Sequence, residues 1–157
     1  MYSAEEVVEL AINTEKNGKK FYDGAAKSAE SQSVRELFDF LATQEEAHRR
    51  RFEALRGRTE KLVQPEDMEE VTKYLNAIVA SEFFMGNDKA LARAGRAKTR
   101  DELLSFALQF EKETLLFFTQ ISELAEGRTK AVLKEIIGEE KKHVKMITEL
   151  LREQGIA

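Results

Sequence analysis

The chain contains two histidines, and each follows a glutamate by three residues, in Glu45-Glu46-Ala47-His48 and in Glu140-Lys141-Lys142-His143. On a helix this spacing sets carboxylate and imidazole about one turn apart on the same face, where both reach a single divalent metal ion. A second echo stands upstream of each, with Glu15 seven residues before Tyr22 and Glu111 seven before Phe118. The order is therefore Glu, Glu-x-x-His, Glu, Glu-x-x-His, and any fold must explain why it is repeated.

The surrounding pattern is helical. With one proline and few β-branched runs, apolar residues recur at three- and four-residue steps. The spacing predicts long helices over about 3–29, 33–56, 100–126 and 129–153, with a partly helical crossover over about 57–99. The first stripe is Val8, Ala11, Ile12, Glu15, Tyr22 and Ala26; the second is Leu37, Leu41, Glu45, His48, Phe52 and Leu55. The third runs Leu104, Leu108, Glu111, Leu115, Phe118, Ile121 and Ala125, and the fourth Val132, Ile136, Glu140, His143, Ile147 and Leu151. Ser33 with Glu36 and Thr99 with Glu102 have capping-box spacing, and Thr129 is placed to cap the fourth helix. Gly57 and Gly127 are read as stops. Pro65 suits the start of a crossover helix through Met68 and Val79, Gly86-Asn87-Asp88 a break before a segment from Ala90 to Ala94, and Gly155 a frayed end.

Counting shows that the polar stripe residues can meet. Glu15 and Glu45 lie at nearly equal distances from the turn at Ser31, as do Glu111 and Glu140 from the turn at Gly127. At about 1.5 Å per residue, both hairpins set their carboxylates midway along the helices. The offset from Glu15 to Glu111 is 96 residues and that from Glu45 to Glu140 is 95. The sequence thus reads as an all-α protein, two copies of one helical hairpin facing each other as an antiparallel four-helix bundle, in one domain over 1–157.

Four glutamates and two histidines on core-facing stripes need a reason. Each would cost several kcal/mol if buried charged and unpaired, and clustered carboxylates would also repel one another. Two divalent cations at the centre remove both objections, against the plainer alternative of a bundle whose buried polar groups are merely satisfied.

Composition narrows the surroundings. The chain of 157 residues is long enough for a real core and has no cysteine, which excludes disulfides, thiolate zinc sites and cysteine-bound iron–sulfur clusters. A net charge of −4 argues against a nucleic-acid partner. The basic run Arg49-Arg50-Arg51 is flanked by glutamates and reads as solvated helix surface. With no apolar run long enough to span a bilayer and no leader-like start, the expectation is a soluble, cytoplasmic protein without membrane contact.

Glu15-x6-Tyr22, Glu45-x-x-His48, Glu111-x6-Phe118 and Glu140-x-x-His143 resemble the di-iron ligand pattern of the ferritin-like superfamily, and particularly its rubrerythrin branch. The resemblance implies a ferritin-like fold holding two iron ions per chain, other divalent metals being possible as purified. Glu15, Glu45, Glu111 and Glu140 would bind terminally or bridge, and His48 and His143 would complete one iron each; these six are also the catalytic candidates. Tyr22 resembles the family tyrosine that hydrogen-bonds a ligand carboxylate, its other reading being a plain core aromatic. Two features depart from the family. The chain lacks the cysteine-bearing rubredoxin-like tail, so electrons would come from an external donor such as a rubredoxin-like protein. It also has Thr114 where rubrerythrins carry a further glutamate, while Glu113 points elsewhere. The activity implied is reduction of hydrogen peroxide or dioxygen; a ferroxidase related to iron storage and a non-catalytic iron-binding protein are the alternatives. A homo-oligomer is expected, a dimer being favoured.

Overall fold

Connections of three residues and of two fold the chain back on itself twice. The structure, a computed structural model, describes residues 2–80 and 99–154. Its helices are α1 (Ala4–Ser28), α2 (Gln32–Glu53), α3 (Met68–Val79), α4 (Arg100–Leu124) and α5 (Gly127–Gln154). The turns between α1 and α2 and between α4 and α5 make each pair an antiparallel hairpin. In the bundle, α2 lies beside α5 and α1 beside α4. The expected break at Gly86-Asn87-Asp88, the segment from Ala90 to Ala94 and the fraying at Gly155 lie outside the described residues.

The helix ends show which local signals win. Ser3 and Glu6 form a reciprocal capping box at α1, and the Thr99 hydroxyl accepts the Glu102 N–H at 3.1 Å to start α4. At α2 the cap is Ser31, not Ser33; its Oγ accepts from the Val34 N–H at 3.5 Å. Either serine suits the position, and the shorter turn wins. α2 ends at Glu53, and a turn closes at Gly57 with φ +74°. α3 begins at Met68, after a turn in which the Pro65 carbonyl accepts the Met68 N–H. α5 starts at Gly127, two residues before the expected cap, and the Thr129 hydroxyl is buried without a partner. The Arg128 N–H points instead to the Glu60 carboxylate at 3.5 Å. Gly127, at φ +57°, packs so closely on Glu60 that a Cβ would overlap its oxygens.

Two apolar clusters fill the bundle, one at each end. The first takes Val8 and Ile12 of α1, Phe52 of α2, Phe117, Phe118 and Ile121 of α4, and Leu133 and Ile136 of α5. The second takes Tyr22 and Ala26 of α1, Phe38 and Leu41 of α2, Leu104 and Ala107 of α4, and Ile147 of α5. Every bundle helix crosses from one cluster to the other, so α2 and α4 run in the same direction. The long crossover follows from this, because it must return the chain along the length of the bundle. On the way, Leu62, Leu75 and Ile78 add to the first cluster.

Candidate metal centre

Between the two apolar clusters lies a thin polar layer, and it contains all six candidates from the sequence. Glu15, Glu45, Glu111 and Glu140 are 0 % exposed, His48 is 1 % and His143 2 %. They fall into two quartets, Glu15, Glu45, His48 and Glu140, and Glu45, Glu111, Glu140 and His143. Within each quartet one ligand atom per residue lies within 4.8 Å of the others. Glu45 and Glu140 belong to both quartets, so the two glutamates of the Glu-x-x-His pairs stand between two positions, while Glu15 and Glu111 flank one each.

Both imidazoles turn Nδ1 inward. His48 Nδ1 lies 2.9 Å from Glu140 Oε1 and 3.6 Å from Glu15 Oε2. His143 Nδ1 lies 3.4 Å from Glu140 Oε2 and 3.7 Å from Glu111 Oε1. The rings stack with centroids 5.9 Å apart. Both Nδ1 atoms remain without a hydrogen-bond partner.

That is the test of fit for a metal. Both oxygens of Glu15, Glu45 and Glu140, one of Glu111, and Nδ1 of His48 and His143 are buried and unpaired. Buried polar atoms are almost always satisfied by protein or water, so such a concentration in one layer marks a place built for something else. Four carboxylates and two neutral imidazoles balance two divalent cations in charge, and the oxygen–nitrogen donor set suits Fe(II), Mn(II) or Zn(II). The residues fit a two-metal centre.

The electrostatics of the metal-free chain agree. Burial, together with the neighbouring glutamate charges, pushes the Glu15, Glu45 and Glu111 carboxyls above the ordinary range. Burial works against Glu140 also, but its contacts with Glu111, His143 and His48 outweigh it and hold that carboxyl well below. Burial disfavours both imidazolium ions, yet the surrounding carboxylates raise His48 to about 9 and His143 to about 10. The layer therefore holds protons where metals would hold their place, and metal binding must displace them.

Outer contacts fix the inner ones, and they differ between the halves. Tyr22 donates its hydroxyl to Glu111 Oε1 at 2.7 Å and is itself fully buried, which is the first of its two readings, the carboxylate-bonding tyrosine, and not the plain core aromatic. His48 Nε2 lies 2.7 Å from Glu139 Oε2. With the proton on Nε2, that carboxylate orients the ring and leaves the Nδ1 lone pair for a metal. Arg51 pairs with Glu135 and reaches Glu139 at 3.6 Å. The basic run is thus surface, as expected, but one of its members supports the site. Glu139 precedes Glu140 as Gln44 precedes Glu45, and that unequal doublet was the available signal.

Gly18 went unread, and Thr114 was read only as standing in the place of a further glutamate. A Cβ on Gly18 would come 2.7 Å from Glu45 Oε2 and 3.0 Å from Phe110 Cε1, so the missing side chain is the space the ligand carboxylate occupies. The third stripe needs correcting: the buried face of α4 runs Leu104, Ala107, Glu111, Thr114, Phe118 and Ile121, with Leu108 and Leu115 only half-buried. α4 is apolar around much of its circumference, so hydrophobicity alone leaves its phase open. Glu113 faces away, taking a hydrogen bond from Gln109 at 3.3 Å.

Among the described residues no helix is long and apolar enough to cross a membrane. The family model for rubrerythrin matches residues 6–95. A solved structure from Thermotoga maritima, described as a candidate ferritin-like diiron-carboxylate protein, superposes with a TM-score of 0.71 over 98 % of this chain and 97 % of its own, at 22 % identity. No curated protein matches the chain.

Proposed function

Because the chain belongs to the rubrerythrin family, we propose that it is a di-iron carboxylate protein that reduces hydrogen peroxide or dioxygen with electrons delivered by a separate protein of rubredoxin type. The observation that carries this reading is the layer of nine unpaired, buried ligand atoms from six side chains. Two iron ions in the two quartets would supply one electron each, which matches the two-electron cleavage of a peroxide bond.

The chain's own residues do the rest. Glu45 and Glu140, common to both quartets, hold the metal positions together, and Glu15 and Glu111 with His48 and His143 complete one each. Glu139 keeps His48 in the tautomer that ligates, and Tyr22 keeps Glu111 Oε1 in place. Phe118 and Ile121 on one side and Tyr22, Phe38 and Leu104 on the other close the layer against bulk water. In such a dry site the carboxylates interact strongly with whatever they bind. Reducing one hydrogen peroxide to two waters needs two electrons and two protons. On this reading the electrons come from the separate donor protein. We take the protein to work in the cytoplasm as a homodimer.

The test is stopped-flow oxidation of the anaerobically reduced, iron-loaded protein. Hydrogen peroxide should oxidise it faster than dioxygen, with about one peroxide consumed per pair of irons. Faster oxidation by dioxygen with build-up of ferric mineral would replace this reading with the ferroxidase one, and no oxidation by either would leave an iron-binding protein.

A further inference from the structure

Thr114 stands one turn beyond Glu111 on the buried face of α4 and is 0 % exposed, yet its hydroxyl oxygen has no hydrogen-bond partner. Helical threonines ordinarily return the hydroxyl proton to a carbonyl one turn back. Thr14 does so with the Leu10 carbonyl at 2.8 Å, and Thr43 with that of Asp39 at 3.1 Å. The Thr114 hydroxyl does not, although a buried unpaired hydroxyl costs stability.

The internal repeat sharpens the contrast. Three residues after Glu15 comes Gly18, and three after Glu111 comes Thr114. At Gly18 the space is filled by the Glu45 carboxylate leaning on the helix. At Thr114 a free donor takes the place of a glycine. Side chains three residues apart on a helix have Cβ atoms about 5–6 Å apart, so Thr114 shares the buried face of α4 with Glu111, a member of the second quartet.

Resting on the two-metal reading, we propose that Thr114 contacts the substrate: its hydroxyl donates a hydrogen bond to a small oxygen-containing anion, of the hydroperoxide class, bound at the metal pair. Such an anion accepts where the carboxylates around it cannot donate. The Tyr22 hydroxyl is already committed to Glu111, whereas the Thr114 hydroxyl has no partner among the described residues and keeps a proton to give. No proton need leave the threonine; it orients and stabilises the negative charge.

Azide is a suitable probe, being a small anion that accepts hydrogen bonds and is not consumed. The iron-loaded parent, Thr114→Val and Thr114→Ser proteins would be titrated with azide by the charge-transfer absorption, with iron per chain and metal-free melting temperature measured in parallel. Valine keeps the shape and removes the donor, so Thr114→Val should retain two irons and melt no lower than the parent. Its azide dissociation constant should rise about tenfold, the effect of losing one charge-assisted hydrogen bond, while Thr114→Ser should stay near the parent. The infrared stretch of bound azide should shift on exchange into D2O in the parent and not in Thr114→Val. Unchanged azide affinity in an iron-replete Thr114→Val protein would overturn the proposal, and so would a Thr114→Ser protein as weak as Thr114→Val, which would assign the effect to the methyl group. A parent that retains no iron would overturn the two-metal reading and this inference with it.

Discussion

Replacing Tyr22 with Phe isolates one hydrogen bond at the edge of the centre. The ring is packed against Phe21, Phe38 and Phe110 with centroids 5.1, 5.8 and 6.5 Å away, and phenylalanine keeps those contacts. What disappears is the donor 2.7 Å from Glu111 Oε1, leaving a carboxylate whose other oxygen already lacks a partner. A buried acceptor stripped of its donor costs about 1–3 kcal/mol. For a domain of this size each kcal/mol lowers the melting temperature by roughly 2–4 °C, so the chelated, metal-free variant should melt roughly 2–12 °C lower. Losing an outer contact to a ligand typically weakens metal binding 10- to 100-fold. Glu111 belongs to one quartet and not the other, so the loss should fall on one metal of the two. Scanning calorimetry of the metal-free protein and a two-site cobalt titration read both effects. An unchanged melting temperature with two unchanged affinities would refute the reasoning, as would equal weakening at both positions.

The metal-free protein should be most stable near pH 4–5 and weaken steadily towards pH 10. His48 and His143, raised to about 9 and 10, contribute fully below the ordinary histidine value of about 6.5 and lose that contribution as the pH passes their raised values. The raised carboxyls of Glu15, Glu45 and Glu111 act in the same sense, because the folded chain keeps protons that the unfolded chain releases. Glu140 is depressed and acts oppositely, its contribution being lost in acid below about pH 4. Urea unfolding of chelated protein across this range checks the trend, and a flat profile from pH 6 to 10 would contradict it. Gly18→Ala should weaken both metals, since the added Cβ would displace the shared Glu45 carboxylate; intact affinities in titration would show that the carboxylate moves freely. Glu139→Gln keeps a hydrogen bond to His48 but removes the charge behind it. The cobalt absorption spectrum and affinity should therefore change at the Glu15 quartet alone, and identical spectra would remove Glu139 from the positioning of His48.

Much of this arrangement was legible in the sequence because the two Glu-x-x-His pairs and their upstream glutamates interrupt apolar stripes at regular steps. That regularity implied four long helices and one polar layer, and the structure brings Glu15, Glu45, His48, Glu111, Glu140 and His143 into it. What could not be read depended on phase or on distant partners. The face of α4 around Thr114 was ambiguous because leucines and phenylalanines surround that helix. The Glu60 contact at the start of α5 joins residues 68 apart, and the support of His48 by Glu139 joins residues 91 apart; no local pattern announces either. The serine choice at α2 was a contest between two adequate caps, settled by turn length.

The central claim is that six side chains hold two metal ions, and anomalous X-ray scattering at the iron edge from crystals loaded anaerobically with Fe(II) tests it most directly. The account predicts two peaks per chain roughly 3.5–4 Å apart, with Glu45 and Glu140 between them, His48 beside one and His143 beside the other. A single peak, a peak elsewhere, or none with the six side chains still clustered would contradict it.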